Sequence, residues 1–202
     1  VYLSTTKAHP ALDADDVSMY VQTKEAGGEL LTSGAYSFEY SIVHPTYVMG
    51  PRDYRLKRYD PFRLAAANTV LIPPLYTPGE INIIHVDAIA DSILYYLNRP
   101  TNNHHMVSGS NIDRKRFAKK LASLSPRRTV VLDVPLRNTL LPLGVKTIDA
   151  IGIANVDADR LVLNSETGTV PPVQEKRAPV EQASWENAVE DTWCWYEEVG
   201  LL

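Results

Sequence analysis

Segments with the apolar pattern of a β-strand alternate along this chain with segments that have the pattern of a helix. The clearest helix pattern runs from Val86 to Leu97, where apolar residues recur at spacings of three and four and mark one buried face. Strands are predicted near residues 1–5, 40–43, 81–84, 106–107 and 129–132, and residues 70–72 are apolar with no element assigned. Helices are predicted near residues 15–31, 61–68, 86–97, 113–124 and from 184 onward. This order predicts an α/β fold with a largely parallel sheet and flanking helices.

Capping residues are found where two of these helices begin. Asn111 or Asp113 precedes a helix that turns Phe117 and Leu121 to one side, and Ser184 precedes the last helix. Prolines and polar residues interrupt the periodicity of apolar residues between positions 135 and 179, so we assign no helix or strand there.

The composition is that of an ordinary globular protein, with 45% apolar and 22% charged residues. No run approaches the roughly 18 to 20 apolar residues of a membrane-spanning helix, so we expect a soluble protein with no membrane partner. The net charge of −4 offers no basic field for nucleic acid. The single cysteine, Cys194, cannot form an internal disulfide and suits a reducing compartment, either the cytoplasm or an organelle matrix.

Tyr20 and Lys24 lie four residues apart in the first predicted helix, so their side chains share one face. A nearby ammonium group favours the phenolate anion, which suits a general acid–base pair. Just upstream, Ser4, Thr5 and Thr6 follow a strand, where hydroxyl groups reach ligands at the carboxyl edge of a sheet. The spacing alone also fits a surface pair of no consequence; the order of strand, Tyr-x-x-x-Lys helix and second strand favours the catalytic interpretation.

At these residues the chain resembles the extended short-chain dehydrogenase/reductase family, the NAD-dependent epimerases and dehydratases. The resemblance covers roughly residues 1–125 in the expected order. It rests on four segments, Val1-Tyr2-Leu3-Ser4-Thr5, Tyr20-Val21-Gln22-Thr23-Lys24, His44-Pro45-Thr46-Tyr47-Val48-Met49-Gly50-Pro51-Arg52 and Ile84-His85-Val86-Asp87-Ala88-Ile89-Ala90. The fold that it implies is the later half of a Rossmann-like, mostly parallel sheet with flanking helices and a small C-terminal substrate-binding portion.

The resemblance implies a role for each matching residue. Thr5 would orient a substrate hydroxyl or carbonyl group, Tyr20 would exchange its proton, and Lys24 would hold the nicotinamide ribose and favour the tyrosine anion. The residues expected to contact NAD or NADP are Ser4, Tyr20, Lys24, Pro45, Thr46 and Val48. The residues expected to contact substrate are Thr6, Arg52 and His85. For Arg52 a solvated loop, and for His85 a packed or capping role, are the simpler alternatives.

The chain departs from the family in its glycines. The ten glycines include no Gly-x-Gly-x-x-Gly set, so the turn that would hold the pyrophosphate is not found. We infer that the first βαβαβ half, on the order of 100 residues, lies outside this chain. A truncated polypeptide, a companion chain that supplies this half, or a remnant that no longer binds cofactor would each explain the difference, and the first two are favoured because a bare sheet edge needs covering.

Three other positions also differ from the family. His44 stands where arginine often precedes the proline, Ala88 replaces a common acidic residue, and no arginine precedes the strand at 81–84 to hold a sugar diphosphate. A nucleotide sugar is therefore a less secure substrate than a hydroxyl or carbonyl compound in general. No metal site is expected, because His104 and His105 are adjacent in a strand and would point to opposite faces.

The sequence therefore predicts two interleaved portions. Residues 1–100 would form the catalytic part of an NAD(P)-binding domain, and residues 101–202 the substrate-binding portion. The predicted function is that of an NAD(P)-dependent oxidoreductase, epimerase or dehydratase, and relatives often form homodimers through the tyrosine-bearing helix. The alternative is a scaffold or RNA- or protein-binding subunit that keeps the fold without the chemistry.

Overall fold

The computed structural model describes residues 1–9, 19–53, 61–67, 70–71, 80–127, 130–131 and 183–202. Contacts within the chain define two units that alternate along the sequence. The first unit comprises Val1–Pro51, Asn82–Ser110 and Val170–Thr192, and the second comprises Arg52–Ile81, Asn111–Thr169 and Trp193–Leu202. The division expected after residue 100 stays a prediction.

Short strands and longer helices follow one another through the described segments. The strands are β1 (Tyr2–Leu3), β2 (Ser41–Pro45), β3 (Tyr47–Met49), β4 (Val70–Leu71), β5 (Glu80–His85), β6 (Asn103–Val107), β7 (Ser110–Asp113) and β8 (Val130–Val131). The α-helices are α1 (Met19–Thr32), α2 (Pro61–Ala67), α3 (Val86–Asn98), α4 (Arg114–Leu124) and α5 (Trp185–Glu198), and a 3-10 turn covers Thr6–Ala8.

Parallel pairing joins the strands that position the site. Strand β2 lies between β1 and β6, with Leu3 opposite Val43 and His44 opposite Met106. Strand β3 pairs in parallel with β5 in a sheet of order β3-β5-β7, and β4 pairs in parallel with β8. The predicted α/β class, a parallel sheet with flanking helices, is confirmed.

The core of the first unit forms where α3 packs against strand residues. Val43, Ile84 and Val107 are buried against Ala88, Ile89 and Tyr96 of the helix. Burial of an aliphatic side chain of this size contributes about 1.5–3 kcal/mol to folding. The periodicity from Val86 to Leu97 predicted this helix but not the face that it buries. Leu94 and Leu97 are 56% and 60% exposed, and the helix buries Ala88, Ile89, Ser92 and Tyr96.

The core of the second unit is aromatic. The ring of Phe62 in α2 lies 6.3 Å from that of Phe117 in α4 and 5.4 Å from that of Tyr196, centroid to centroid.

Helix α4 begins at the predicted cap, since Asp113 Oδ1 accepts the backbone N–H of Lys115 at 2.7 Å. Ser184 Oγ accepts the N–H of Asn187 at 3.1 Å and confirms the cap predicted for α5.

Several predicted features fall on residues outside the described segments. These are the start of the first helix near residue 15, the apolar Ile72, and the region from 135 to 179. Where both are described, predicted and observed bounds differ by no more than one residue at each helix end. No helix in the described part of the chain is long and apolar enough to span a membrane.

A candidate proton-transfer site at the carboxyl ends of β1 and β2

The carboxyl ends of β1 and β2 lie side by side because the two strands run parallel. The N–H of Ser4 donates to the carbonyl oxygen of Val43 at 2.8 Å and extends this pairing beyond β1. The hydroxyl of Thr6 donates to the carbonyl oxygen of Pro45. The predicted residues at positions 4–6 and 45–46 therefore share one edge of the sheet.

Helix α1 brings Lys24 to this edge. The Lys24 ammonium group donates to the carbonyl oxygen of Leu3 at 2.9 Å and lies 5.4 Å from the centre of the Tyr2 ring. It also lies 6.0 Å from the centre of the Tyr20 ring, whose side chain is 60% exposed. The structure thus places Tyr20 and Lys24 together at the end of β1, with the phenol open to solvent.

Glycine at position 27 allows α1 to approach β1 closely. A Cβ atom there would lie 2.3 Å from the hydroxyl oxygen of Tyr2. That hydroxyl donates to the carbonyl oxygen of Lys24 at 3.3 Å. The side chain of Tyr2 therefore fixes the distance between the lysine-bearing turn and the strand end.

Thr5 is at the same edge, but its hydroxyl group is not joined to Tyr20. Thr5 has an extended backbone and precedes the 3-10 turn without a capping bond from its side chain. No hydrogen bond links the Thr5 hydroxyl to the Tyr20 hydroxyl or the Lys24 ammonium group in the described part of the chain. The roles assigned to these three residues stay predictions.

Two buried hydroxyl groups at this edge have no hydrogen-bond partner among the described residues. They are Ser4 Oγ and Thr46 Oγ1, and both residues were predicted to contact the cofactor. A buried hydroxyl group without a partner costs about 1–3 kcal/mol. These groups fit the ribose and amide groups of a nicotinamide nucleotide, whereas the 202 residues contain no glycine-rich turn for its pyrophosphate.

Sequence reasoning missed the cluster of imidazoles behind Thr5. His44 Nδ1 lies 2.8 Å from the Thr5 carbonyl oxygen, and its Nε2 lies 2.9 Å from His104 Nδ1. The ring of His9 meets that of His44 edge-on, with centroids 4.7 Å apart. A signal was available in the unusual histidine before Pro45, but its partners depend on strand pairing. In the described residues no group of histidine, cysteine or carboxylate side chains is placed to hold a metal.

The environment of His44 keeps it neutral. Burial lowers the pKa of His44 from 6.5 to about 4; the bond to the Thr5 carbonyl opposes this, and the nearby His9, His104 and His105 add to it. Since a carbonyl oxygen only accepts, Nδ1 carries the proton and Nε2 of the neutral ring accepts from His104 Nδ1.

The stability of the fold should therefore depend on pH through His44. Well above pH 6.5, His44 is neutral in both the folded and the unfolded protein, so its titration does not reduce the free energy of unfolding. As the pH falls from about 6.5 to about 4, the unfolded chain gains the proton first, and the free energy of unfolding should drop by about 3 kcal/mol. Urea unfolding at pH 7 and pH 4.5 measures this drop.

The variant His44→Asn supplies the control for this pH dependence, because asparagine does not titrate. The variant removes only the contribution of His44, so it should lose less stability than the wild type on acidification. An equal loss in the wild type and in His44→Asn would contradict the assignment to His44.

Opposite faces of β6 carry the two adjacent histidines, as predicted. His104 lies beside His44, whereas the ring of His105 stacks on Tyr96 of α3 with centroids 4.0 Å apart. The pair therefore cannot ligate one metal together.

His85, predicted to contact substrate, is bound within the chain through both ring nitrogens. Its Nδ1 accepts the backbone N–H of Asp87 at 3.1 Å and caps α3, and its Nε2 lies 3.1 Å from Asp191 Oδ2. The side chain is 6% exposed. This geometry agrees with a packed or capping role for His85, the simpler alternative to substrate binding.

The other predicted residues lie in β3 or close to its ends. Pro45 and Val48 are half-buried, and the backbone N–H of Gly50 donates to the hydroxyl of Thr192 at 2.7 Å. Arg52 is exposed and has a positive φ of 71°, which fits a residue in a tight turn. Helix α5 therefore fixes the loop that follows β3 through Thr192, a contact that the sequence did not indicate.

Comparison with known proteins shows similarity of fold. No protein-family model and no curated protein sequence matches this chain. Solved structures match at low identity. They include a nucleoside-diphosphate-sugar epimerase from Pseudomonas aeruginosa (16% identity, TM-score 0.63, covering 98% of this chain and 66% of that one). They also include a UDP-N-acetylglucosamine 4-epimerase from Methanobrevibacter ruminantium (15% identity, TM-score 0.60, covering 98% of this chain and 62% of that one).

A third match is a dTDP-glucose 4,6-dehydratase from Bacillus anthracis, solved in complex with NAD (13% identity, TM-score 0.57, covering 97% of this chain and 60% of that one). This chain thus spans 60 to 66% of the length of these three structures. Its fold is that of the later part of the Rossmann-like epimerases and dehydratases.

Proposed function

We propose that this chain carries the catalytic and substrate-binding part of an NAD(P)-dependent epimerase, dehydratase or related oxidoreductase. The observation that carries the proposal is the position of Lys24, whose ammonium group meets the end of β1 with the Tyr20 ring 6.0 Å away. The unpartnered hydroxyl groups of Ser4 and Thr46 at the same edge support it.

Each group has a distinct part in the proposed reaction. Tyr20 takes the proton from a substrate hydroxyl as the carbon beneath it loses hydride, or returns the proton in the reverse direction. Thr5 donates a hydrogen bond to the oxygen that changes between hydroxyl and carbonyl. Lys24 binds the ribose hydroxyls of the nucleotide. The nicotinamide, when bound, accepts or supplies the hydride.

The substrate proposed is a compound with a hydroxyl or carbonyl group, and nucleotide sugars are the first candidates because the similar structures act on them. We also propose that the glycine-rich half comes from outside these 202 residues, in the same polypeptide or in a companion chain. Whether the cofactor carries a 2′-phosphate depends on residues of that half.

Titration with NADH and NADPH tests this proposal. The full-length protein should bind one of them saturably, and Lys24→Met should weaken binding at least about tenfold, because a hydrogen bond to a charged group is lost. Lys119→Met is the matched control, since Lys119 is an exposed lysine of α4 with no proposed contact to the cofactor. Intrinsic tryptophan fluorescence or calorimetry measures the affinity of each variant for the two nucleotides.

Two outcomes would contradict the proposal. Tight binding by the 202-residue chain alone would refute the requirement for an outside half. Absence of binding by the full-length protein would favour the alternative of a scaffold subunit that has lost the chemistry.

A further inference from the structure

The carbonyl oxygen of Thr5 accepts two hydrogen bonds. One comes from the backbone N–H of Ala8 at 3.0 Å and closes the 3-10 turn, and the other comes from His44 Nδ1 at 2.8 Å. The first bond is local to the turn, whereas the second ties the turn to β2. Thr5 is therefore attached to the sheet through an imidazole ring as well as through its own backbone.

His104 fixes the orientation of that ring. His44 is 1% exposed and neutral, and its Nε2 accepts the N–H of His104 Nδ1 at 2.9 Å. The opposite tautomer of His44 would lose the bond to the Thr5 carbonyl oxygen, because that oxygen can only accept. The series of bonds from His104 to His44 to Thr5 has one consistent arrangement of protons.

We propose that His44 is a positioning residue that anchors the Thr5 turn at the carboxyl edge of the sheet, with its ring oriented by His104. The proposal rests on the proposed function in that Thr5 acts on the substrate oxygen. Without the anchor, the turn would be held to β2 by the Thr6 hydroxyl bond to Pro45 and, just before the turn, by the bond from the Ser4 N–H to the Val43 carbonyl oxygen. The Thr5 hydroxyl would then sample positions away from the reacting atoms.

Two substitutions separate the two bonds of His44. In His44→Asn the amide nitrogen lies near the position of Nδ1 and can donate to the Thr5 carbonyl. In His44→Gln the longer amide reaches the position of Nε2 and His104, and the bond to Thr5 is lost. Hydrogen exchange of the Ala8 amide should be about tenfold faster in His44→Gln and close to wild type in His44→Asn.

Nitrogen-15 NMR of the imidazole rings tests the assigned arrangement of protons directly. At pH 7 His44 should show a protonated Nδ1 and an unprotonated Nε2, and the Nδ1 proton should be coupled through the hydrogen bond to the Thr5 carbonyl. The opposite tautomer in the wild type would overturn the proposal. So would equal exchange of the Ala8 amide in the Asn and Gln variants.

His105→Asn is the matched control for general loss of stability. His105 is adjacent to His104 but stacks on Tyr96 on the other face of the sheet. This variant should lower global stability without a selective increase in Ala8 exchange, and a selective increase there would count against the proposal.

Thr5→Ala distinguishes the anchor from the proposed chemistry, because it removes the hydroxyl and keeps the carbonyl. Ala8 exchange should stay at the wild-type rate in this variant, and faster exchange would overturn the anchoring by the backbone carbonyl. If the full-length Thr5→Ala variant turned over substrate at the wild-type rate, the proposed catalytic role of Thr5 would be wrong. The anchoring of the turn by His44 would still be supported by the exchange rates of the Ala8 amide.

Discussion

Replacing Tyr20 by phenylalanine should lower the kcat of the full-length protein by about 10²- to 10⁴-fold, the usual contribution of a general acid–base group. The ring remains, so its position 6.0 Å from the Lys24 ammonium group is kept. The side chain is 60% exposed and its hydroxyl bonds to no other described residue, so the free energy of unfolding should not change measurably. The assay uses UDP-glucose, UDP-N-acetylglucosamine and dTDP-glucose as a substrate panel.

Tyr36→Phe is the matched control for this substitution. Tyr36 is 48% exposed and stacks on Phe38 with ring centroids 5.2 Å apart, a contact that does not need the hydroxyl group. It should leave both kcat and stability unchanged. Turnover by Tyr20→Phe at the wild-type rate would rule out the phenol as the proton carrier.

Gly109→Ala should destabilise the first unit by about 3 kcal/mol or more, at the upper end of overpacking effects. A Cβ atom at this position would lie 1.8 Å from the carbonyl oxygen of Ile83 and 2.9 Å from the Cα atom of Ile84. These are backbone atoms of β5 and cannot rotate away as a flexible side chain would. Asn82 also holds Gly109 in place, since its Oδ1 accepts the Gly109 N–H at 2.9 Å.

Gly28→Ala supplies the control, because it makes the same change at a buried glycine of α1. A Cβ atom there would have ordinary contacts, 3.7 Å from Ile42 and 3.9 Å from His104. Because alanine favours a helix over glycine by roughly 0.5–1 kcal/mol, this variant should be neutral or slightly stabilised. Urea unfolding of both variants makes the comparison, and a Gly109→Ala protein within 1 kcal/mol of wild type would contradict the close approach.

The sequence predicted those parts of the fold that depend on local patterns. The periodicity of α3 predicted a helix but not which face it buries. Asp113 and Ser184 were predicted as caps because a side-chain oxygen before a helix binds the first free N–H groups. The parallel sheet followed from the alternation of strands and helices. These features need only neighbouring residues, or the order of elements along the chain.

The candidate site was predicted in part. The order of motifs brought Tyr20 and Lys24 to the end of β1, but the bond between Lys24 and the Leu3 carbonyl depends on how α1 packs, which no spacing encodes. The partnership of His44 and His104 depends on the register of β2 on β6, with residues 60 positions apart. Parallel strands joined by long connections leave no local signal of register.

Gly27 has a consequence for how sequences related to this one can diverge. Its missing side chain makes room for the Tyr2 ring, whose atoms would lie 2.3 to 3.3 Å from an added methyl group. A side chain at position 27 would require the Tyr2 ring to move or a smaller residue at position 2. An alignment of such sequences should therefore show covariation between positions 2 and 27, even though neither residue takes part in the proposed chemistry.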